Sequence, residues 1–400
     1  MLQLYDNLNV DMVDISSSEY IEKIQKKDPP SFVSYKPPFP SINRKAFRYR
    51  PYTNLIIIGY GGSSSSFYAM YKALYHGKKN VEFINTVDPD ELDRVKQRCR
   101  RDDTIVISIS KSGNTAGVLQ ALFYFDHYPM FFITSENEGA LMNIVNKRGV
   151  DYIAHPEIGG RFSARTPSGF LPASILNLDI EGIDYGFRNI YSLCNEKVPL
   201  HNNPALHLAL ACHILEKEGY SEIYLPMYSP FLDGFGRLIT QLMHESVAKK
   251  GRGPTVITAS APEAQHHTNQ RLFGGARNMI ALFLRVENYE RDMRVLVPPD
   301  LAIVNYKDTR LSALEGLPYS MAMHFELMGT YQNAVNEGIP AALISIERID
   351  ALNIGELIGF FQYFAVYSAY LREVNPFDQP HVEQSKNMTF HYIKEYNKNQ

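Results

Sequence analysis

Thr104-Ile-Val-Ile-Ser-Ile-Ser-Lys-Ser-Gly-Asn-Thr115 is an apolar, β-branched run that breaks into a hydroxyl-rich turn. Its first half has the composition of a parallel strand buried on both faces. Its second half, Ser110-Lys-Ser-Gly-Asn-Thr115, leads straight into Ala116-Gly-Val-Leu-Gln-Ala-Leu-Phe-Tyr-Phe125, whose apolar spacing is helical. A strand, a Ser/Thr turn with one Gly and a helix start together make an anion cradle. Backbone N–H groups without intrahelical partners point into the turn, and the helix dipole favours negative charge there. Ordinary βα-turn chemistry would use the same residues without a ligand.

The same figure recurs on either side. Strands are expected at 55–58, 81–86, 104–110, 130–134 and 151–154, alternating with helices at 67–77, 89–100, 116–125 and 139–147. Such alternation predicts a doubly wound parallel sheet with ligands outside the carboxyl ends of its strands. After a join at 181–204 a second unit of similar rhythm follows. Its helices are expected at 204–219, 234–250, 265–273, 319–337 and 353–371, and its strands at 222–227, 255–259, 278–286, 294–297 and 341–346. The expected fold class is therefore α/β: two doubly wound parallel-sheet domains at 51–185 and 200–375, an N-terminal arm at 1–50 with one helix near 17–27, and a C-terminal helical segment at 376–400. Pro29, Pro30, Pro37, Pro38 and Pro40 suit an arm, and Phe32, Tyr35, Phe39 and Phe47 give it something to bury.

A chain of 400 residues is long enough for two or three domains with sizeable cores. A net charge of −3 gives no global attraction to nucleic acid or an anionic membrane, so any anion binding must be local. Cys99, Cys194 and Cys212 are an odd number without a CxxC, which suits buried thiols in a reducing cytoplasm better than disulfides or zinc. The first residues lack the basic and apolar regions of a signal peptide, and no run of 18 apolar residues exists, so neither secretion nor a membrane span is expected.

Two Gly/Ser turns, 59–66 and 110–115, each follow a strand and open a helix. Gly59-x-Gly61 invites a dinucleotide reading, but the third glycine position holds Ser64, and no Gly-Lys-Ser/Thr closes a Walker loop. Two hydroxyl-bearing turns in one sheet can instead share a phosphate monoester. In Gly159-Gly-Arg161 the glycines would let the backbone approach a ligand while the guanidinium steadies developing negative charge; the alternative is a loop with a surface Arg. Gln241 and Glu245 share a helix face. Glu245 is either a general base in a site closed to water or, four residues before Lys249, half of a solvated ion pair. His266-His267 reads as an acid–base histidine, a metal pair or surface; the spacing is not that of a zinc site, and no metal is expected. Lys386 on the final segment is by itself a solvated lysine.

Taken in order, Ser110-Lys-Ser-Gly-Asn-Thr115, Gly159-Gly-Arg-Phe-Ser163, Gln241-x-x-x-Glu-Ser246, Gln265-His-x-x-x-Gln270 and Asp378-Gln-x-x-Val-Glu-x-x-Lys386 resemble the motifs of the phosphoglucose isomerase family. The bacterial-type members, built from two flavodoxin-like sugar-isomerase (SIS) domains, are the nearest match. The resemblance covers roughly residues 50–390. It implies an aldose–ketose isomerase of glycolysis and gluconeogenesis that interconverts glucose 6-phosphate and fructose 6-phosphate through a cis-enediol(ate). It further implies no cofactor, and a homodimer with shared active sites. Carried over by position, Gly62 and Ser63 of the first turn and Ser110, Lys111, Ser112 and Thr115 of the second would hold the phosphate. Arg161 would steady the enediolate, Glu245 would move the proton between C1 and C2, and Gln241 would orient the substrate. His266, from the neighbouring subunit, would open the ring with Lys386 as partner, and Gln379 would help bind the substrate.

Some positions depart from the family pattern. Glu245-Ser-Val-Ala-Lys249 stands where the family has Glu-Ser-Asn-Gly-Lys, the second turn is less threonine-rich, and His381 replaces a usual glycine. These departures bear on substrate breadth. A dual phosphoglucose/phosphomannose isomerase is one alternative. A non-catalytic SIS protein that senses a sugar phosphate is another, and it would need only the phosphate turns.

Overall fold

Runs such as Asn54–Ile58 and Thr104–Ile109 are apolar on both faces, so they are stable only as inner strands with helices covering the sheet on both sides. The computed structural model describes residues 2–8, 10 and 19–398 and contains two such sheets. The N-terminal region supplies β1 (Gln3–Asn7), α1 (Glu19–Gln25), α2 (Ser31–Ser34) and α3 (Phe39–Tyr49). The first unit runs β2 (Asn54–Ile58), α4 (Ser65–Leu74), β3 (Asn80–Ile84), α5 (Pro89–Arg98), β4 (Thr104–Ile109), α6 (Ala116–Tyr124), β5 (Met130–Thr134), α7 (Ala140–Arg148), β6 (Asp151–Ala154), α8 (Pro167–Ile175) and α9 (Ile180–Leu193). Then follow α10 (Pro204–Lys217), β7 (Glu222–Tyr228), α11 (Gly234–Val247), β8 (Thr255–Ser260), α12 (Thr268–Gly274), β9 (Met279–Val286), a small hairpin of β10 (Asn305–Tyr306) and β11 (Thr309–Arg310), α13 (Tyr319–Asn336), β12 (Ala341–Ile346), α14 (Ala351–Leu371) and α15 (Pro380–Lys398).

The first sheet has the order β3-β2-β4-β5-β6 and is parallel throughout. The second has the order β1-β12-β9-β7-β8. In both, leaving aside β1 at the edge of the second, the second strand in chain order lies on one side of the first and the third strand on the other. The order therefore reverses between β2 and β4, and again between β7 and β9. Crevices at such switch points, outside the carboxyl ends of the strands, are where open α/β sheets bind ligands.

Packing joins the two units tightly. α4 lies on α11, and α9 lies on α14. A β-carbon at Gly186 would sit 2.0 Å from the Leu352 carbonyl oxygen, and one at Gly355 would sit 2.1 Å from that of Ile183, so backbones touch at this crossing. α14 is apolar around its whole circumference and buried along nearly all of its length, as a central helix must be.

Several details differ from the sequence expectation. The second sheet is mixed: β1, from the arm, pairs antiparallel with β12 and closes that edge. The arm also holds α3, fastened to the first sheet by Lys45 Nζ and the Tyr49 hydroxyl on the Asp151 carboxylate, at 2.6 and 3.0 Å. The region taken as a join contains α9, whose first turn is capped by Asp179 accepting from the Gly182 N–H. No strand forms at 294–297. Only Arg294 bridges Pro318, because this segment leaves the sheet in a long excursion where Leu296 is 81% exposed. The expected helix at 265–273 is broken at His267, with a short 3-10 turn at Glu263–His266 before α12. Ser17 and Ser18 of the expected first helix, and Asn399 and Gln400 of the last segment, lie outside the described residues. No described helix is long and apolar enough to cross a membrane.

Candidate active site

The first switch point carries both Gly/Ser turns. After β2, Gly61 adopts a left-handed φ of +52°, and Gly62 lies directly against the 159–161 loop. A β-carbon at Gly62 would fall 2.3 Å from the Arg161 backbone nitrogen, so only glycine lets these two loops meet. After β4, the Ser110 and Thr115 hydroxyls close the turn across 3.0 Å, and the Asn114 N–H donates to Ser112 Oγ at 3.2 Å. α4 and α6 begin at these turns without a side-chain cap. α5, α8, α9, α10 and α14 are each capped by their own N-cap side chain, whereas α2, α3, α7, α11, α12 and α13, like α4 and α6, are not. The two helices that open on the crevice thus keep their first-turn N–H groups for a ligand, the arrangement an anion needs. The Lys111 ammonium turns aside to Glu157, 2.7 Å away.

Arg161 is not a surface residue. It is 2% exposed, and all five of its N–H groups are engaged. Nε donates to Ser246 Oγ at 2.9 Å. Nη1 donates to Glu245 Oε2 at 3.0 Å and to Gln379 Oε1 at 2.6 Å. Nη2 donates to the carbonyls of Pro376 and Asp378 at 2.6 and 2.8 Å. Burial pushes the Arg161 pKa down, and the charges of Glu245 and Asp378 oppose that push.

Glu245 does not pair with Lys249. Its other oxygen, Oε1, accepts from Gln241 Nε2 at 2.9 Å, and Gln241 Oε1 in turn accepts from the Ser65 hydroxyl at 3.0 Å. Lys249 instead binds the start of the C-terminal segment: the Asn375 carbonyl, the Asp378 carbonyl at 2.8 Å and Asp378 Oδ1 at 2.6 Å. Burial lowers the Lys249 pKa, and Asp378 works against that shift.

Gly61, Gln241 and Glu245, together with Tyr68 and Arg237, line a cavity of about 530 Å³ between α4 and α11. A β-carbon at Gly61 would lie 2.8 Å from Gln241 Nε2. The carboxylate is thus held from both sides, by an amide and a guanidinium, beside the first turn. That arrangement suits moving a proton between neighbouring atoms of a ligand while charge develops next to Arg161.

The structure brings together Gly62, Arg161, Gln241, Glu245 and Gln379, with Ser63 in the adjoining turn and Ser110, Lys111, Ser112 and Thr115 in the turn across β2 and β4. It does not bring in His266 or Lys386. His266 is exposed on the 3-10 turn after β8, and Lys386 is exposed on α15, paired with Glu383 at 2.7 Å. Neither is hydrogen-bonded to Glu245 or Arg161 among the described residues. The neighbouring His267 is taken by Glu263 and Thr268. Sequence reasoning missed four contributors: Ser65, Ser246, Lys249 and its partner Asp378. Ser65 lay within the serine run and Ser246 within the Glu-Ser motif, whereas the Lys249–Asp378 contact spans 129 residues and has no local signal.

No protein-family model matches the chain. It is 27% identical over 354 residues to a glucose-6-phosphate isomerase of Methanocaldococcus jannaschii, covering 86% of this chain and 85% of that one. Its fold superposes on a hypothetical protein of Thermus thermophilus with a TM-score of 0.87 at 23% identity, covering 98% and 100% of the two chains. It also superposes on a glucose-6-phosphate isomerase of Chlamydia trachomatis with a TM-score of 0.76 at 17% identity, covering 94% and 78%.

Proposed function

We propose that this chain, a homologue of the glucose-6-phosphate isomerases, interconverts glucose 6-phosphate and fructose 6-phosphate in glycolysis and gluconeogenesis. One observation carries the reading: the Glu245 carboxylate is held between Gln241 Nε2 at 2.9 Å and Arg161 Nη1 at 3.0 Å, next to an uncapped phosphate-type turn.

The 6-phosphate docks on the turns 61–65 and 110–115, with Gly62, Ser63, Ser110, the Lys111 backbone, Ser112 and Thr115 as its donors. This anchoring places C1 and C2 of the open-chain sugar beside Glu245. Glu245 removes the proton from C2 of the aldose and returns it to C1, while the hydroxyl proton passes from O2 to O1, giving the ketose through a cis-enediol(ate). Arg161 balances the charge on the enediolate oxygens. Its donors are all occupied without ligand, so a substrate oxygen takes the Nη1 position that Gln379 fills.

Ring opening needs a separate acid–base pair, which we assign to His266 and Lys386. Both are exposed and neither is hydrogen-bonded to Glu245 among the described residues, which accords with a homodimer in which His266 of the partner subunit completes each site. We treat 51–185 and 200–375 as the two SIS domains. The three free, buried cysteines accord with a reducing cytoplasm.

The test is an assay with fructose 6-phosphate as sole substrate and both glucose 6-phosphate and mannose 6-phosphate measured. Glucose 6-phosphate is expected; mannose 6-phosphate in comparable amount would favour the dual isomerase, and no product would support a sensor. For the shared site, mixed His266→Ala and Glu245→Gln protomers should regain partial activity after subunit exchange. Absence of recovery despite exchange would place His266 within its own chain's site or outside the reaction.

A further inference from the structure

The second sheet has a switch point that the isomerase reading leaves unused. β7 and β9 stand to it as β2 and β4 stand to the first sheet. At their carboxyl ends lies a cavity of about 350 Å³, lined among others by Tyr228, Arg285, Glu287, Met323, His324 and Leu327. A mostly apolar hollow with a few convergent polar groups, at a switch point, is where this architecture takes small ligands.

The chemistry here differs from that of the first crevice. β9 is followed by a long excursion instead of a Gly/Ser turn. The start of α13 is also occupied: the Ser320 N–H and hydroxyl both bind the Asp292 carboxylate, at 3.0 and 2.6 Å. On the β9 side the phosphate cradle is therefore absent.

In its place stands Arg285. Its Nε donates to Ser345 Oγ at 3.0 Å and its Nη2 to Glu287 Oε1 at 3.2 Å, while Nη1 faces His324 Nδ1 at 3.4 Å. The same Glu287 oxygen accepts from the Ser345 hydroxyl at 2.7 Å. Nη1 is thus the loosely held donor, with the His324 ring beside it. Glu287 already offsets the Arg285 charge, so the hollow has no net positive charge with which to balance a phosphate dianion; what it offers a single carboxylate is the N–H donors of Nη1 beside the His324 ring. Tyr228, Met323 and Leu327 supply an apolar wall for the rest of the ligand.

We propose that this crevice is a second ligand site, for a small monocarboxylic acid. Its carboxylate lies on Arg285 and His324, and its carbon skeleton lies against Tyr228, Met323 and Leu327. The proposal is independent of the isomerase reading.

The test is ligand-observed NMR and calorimetric titration of the full chain with 3-phenylpropionate and 4-methyl-2-oxopentanoate, with inorganic phosphate as competitor. At least one carboxylate should bind saturably, at about 1 mM or tighter. Phosphate should not displace it. Arg285→Met should weaken binding about tenfold or more, as loss of a charge-assisted contact does. Met323→Trp, which fills the hollow and leaves Arg285 in place, should abolish it. Melting temperature and isomerase activity report whether each variant folds, and if Arg285→Met does not, Met323→Trp decides alone. No saturable binding, binding unchanged in the folded variants, or displacement by phosphate would overturn the proposal. So would variants that alter the sedimentation of the protein without any carboxylate binding, since the hollow would then be filled by a second copy of the chain. A chain that binds the carboxylate yet does not isomerise fructose 6-phosphate would overturn the isomerase reading alone.

Discussion

Arg161 and Glu245 meet across the join between the two units: Nη1 of the one lies 3.0 Å from Oε2 of the other, 84 residues later in the chain. Arg161 comes from a 3-10 turn after the first sheet, Glu245 from α11 beneath the second. The pair exists only when the two units are packed, which ties the integrity of the site to that of the interface. The same guanidinium holds the start of the C-terminal segment through Pro376, Asp378 and Gln379.

Arg161→Lys keeps the charge and loses the fork. An ammonium has three N–H groups where five are in use, so at least two of the partners go unpaired. We expect a stability loss of about 2–4 kcal/mol, from unsatisfied buried acceptors, and a fall in kcat of about tenfold or more with a smaller change in KM. Thermal melts and steady-state kinetics with fructose 6-phosphate check this. Wild-type values for both would mean that the network is incidental.

Gly62→Ala should be far more harmful than its size suggests. Its β-carbon would lie 2.3 Å from the Arg161 nitrogen and 2.4 Å from the Gly160 carbonyl carbon, both backbone atoms that cannot turn aside. A cost of about 1–3 kcal/mol is expected for such overpacking, together with loss of most activity as the Arg161 loop shifts. A melt and a kcat/KM indistinguishable from wild type would show that the loops are not held in this contact.

Ser110→Ala should act on binding first. Its hydroxyl closes the 110–115 turn on Thr115 at 3.0 Å, and in the proposed complex it faces the phosphate. Removing a hydrogen bond to a charged group is expected to raise KM about tenfold or more, with kcat changing less. An unchanged KM would move the phosphate away from this turn.

The Asp378 carboxyl is held below its usual range by the hydrogen bond and charge of Lys249. A depressed folded-state pKa contributes stability above the unfolded-state value, about pH 4, and that stability is lost as the pH falls through the lower folded value. Because Asp378 is about half exposed, with 51% of its side chain accessible, the effect should stay below about 1 kcal/mol. Melts of wild type and Asp378→Asn from pH 7 to pH 3 should therefore differ at neutral pH and converge in acid. Curves that stay parallel would mean that the pair does not couple to protonation.

The regular strands and helices of the first unit were legible because each apolar run is bounded by its own turn chemistry. The 110–115 turn declared itself in the same way. What stayed hidden depends on distant residues. β1 reads as five unremarkable residues, and only pairing with β12 makes it a strand. α8 carries Gly169 and Pro172, which argue against a helix locally, and full burial of its residues overrides them. Arg161 on its own residues reads as a surface residue, and only the family resemblance places it in a site, since nothing nearby in sequence reveals the carbonyls of Pro376 and Asp378 that bury it. Glu245 and Lys249 have the spacing of a helical ion pair, yet each takes a stronger partner from another part of the fold.

The most direct measurement of the central claim is isomerisation of fructose 6-phosphate in deuterium oxide by wild type and Glu245→Gln, with deuterium at C2 of the glucose 6-phosphate product followed by NMR. Wild type should form glucose 6-phosphate labelled at C2. The variant should still bind fructose 6-phosphate but lose about 10²–10⁴-fold in both product formation and labelling, since a carboxamide cannot take the proton. Undiminished product and label from Glu245→Gln, or no glucose 6-phosphate from wild type, would contradict the account.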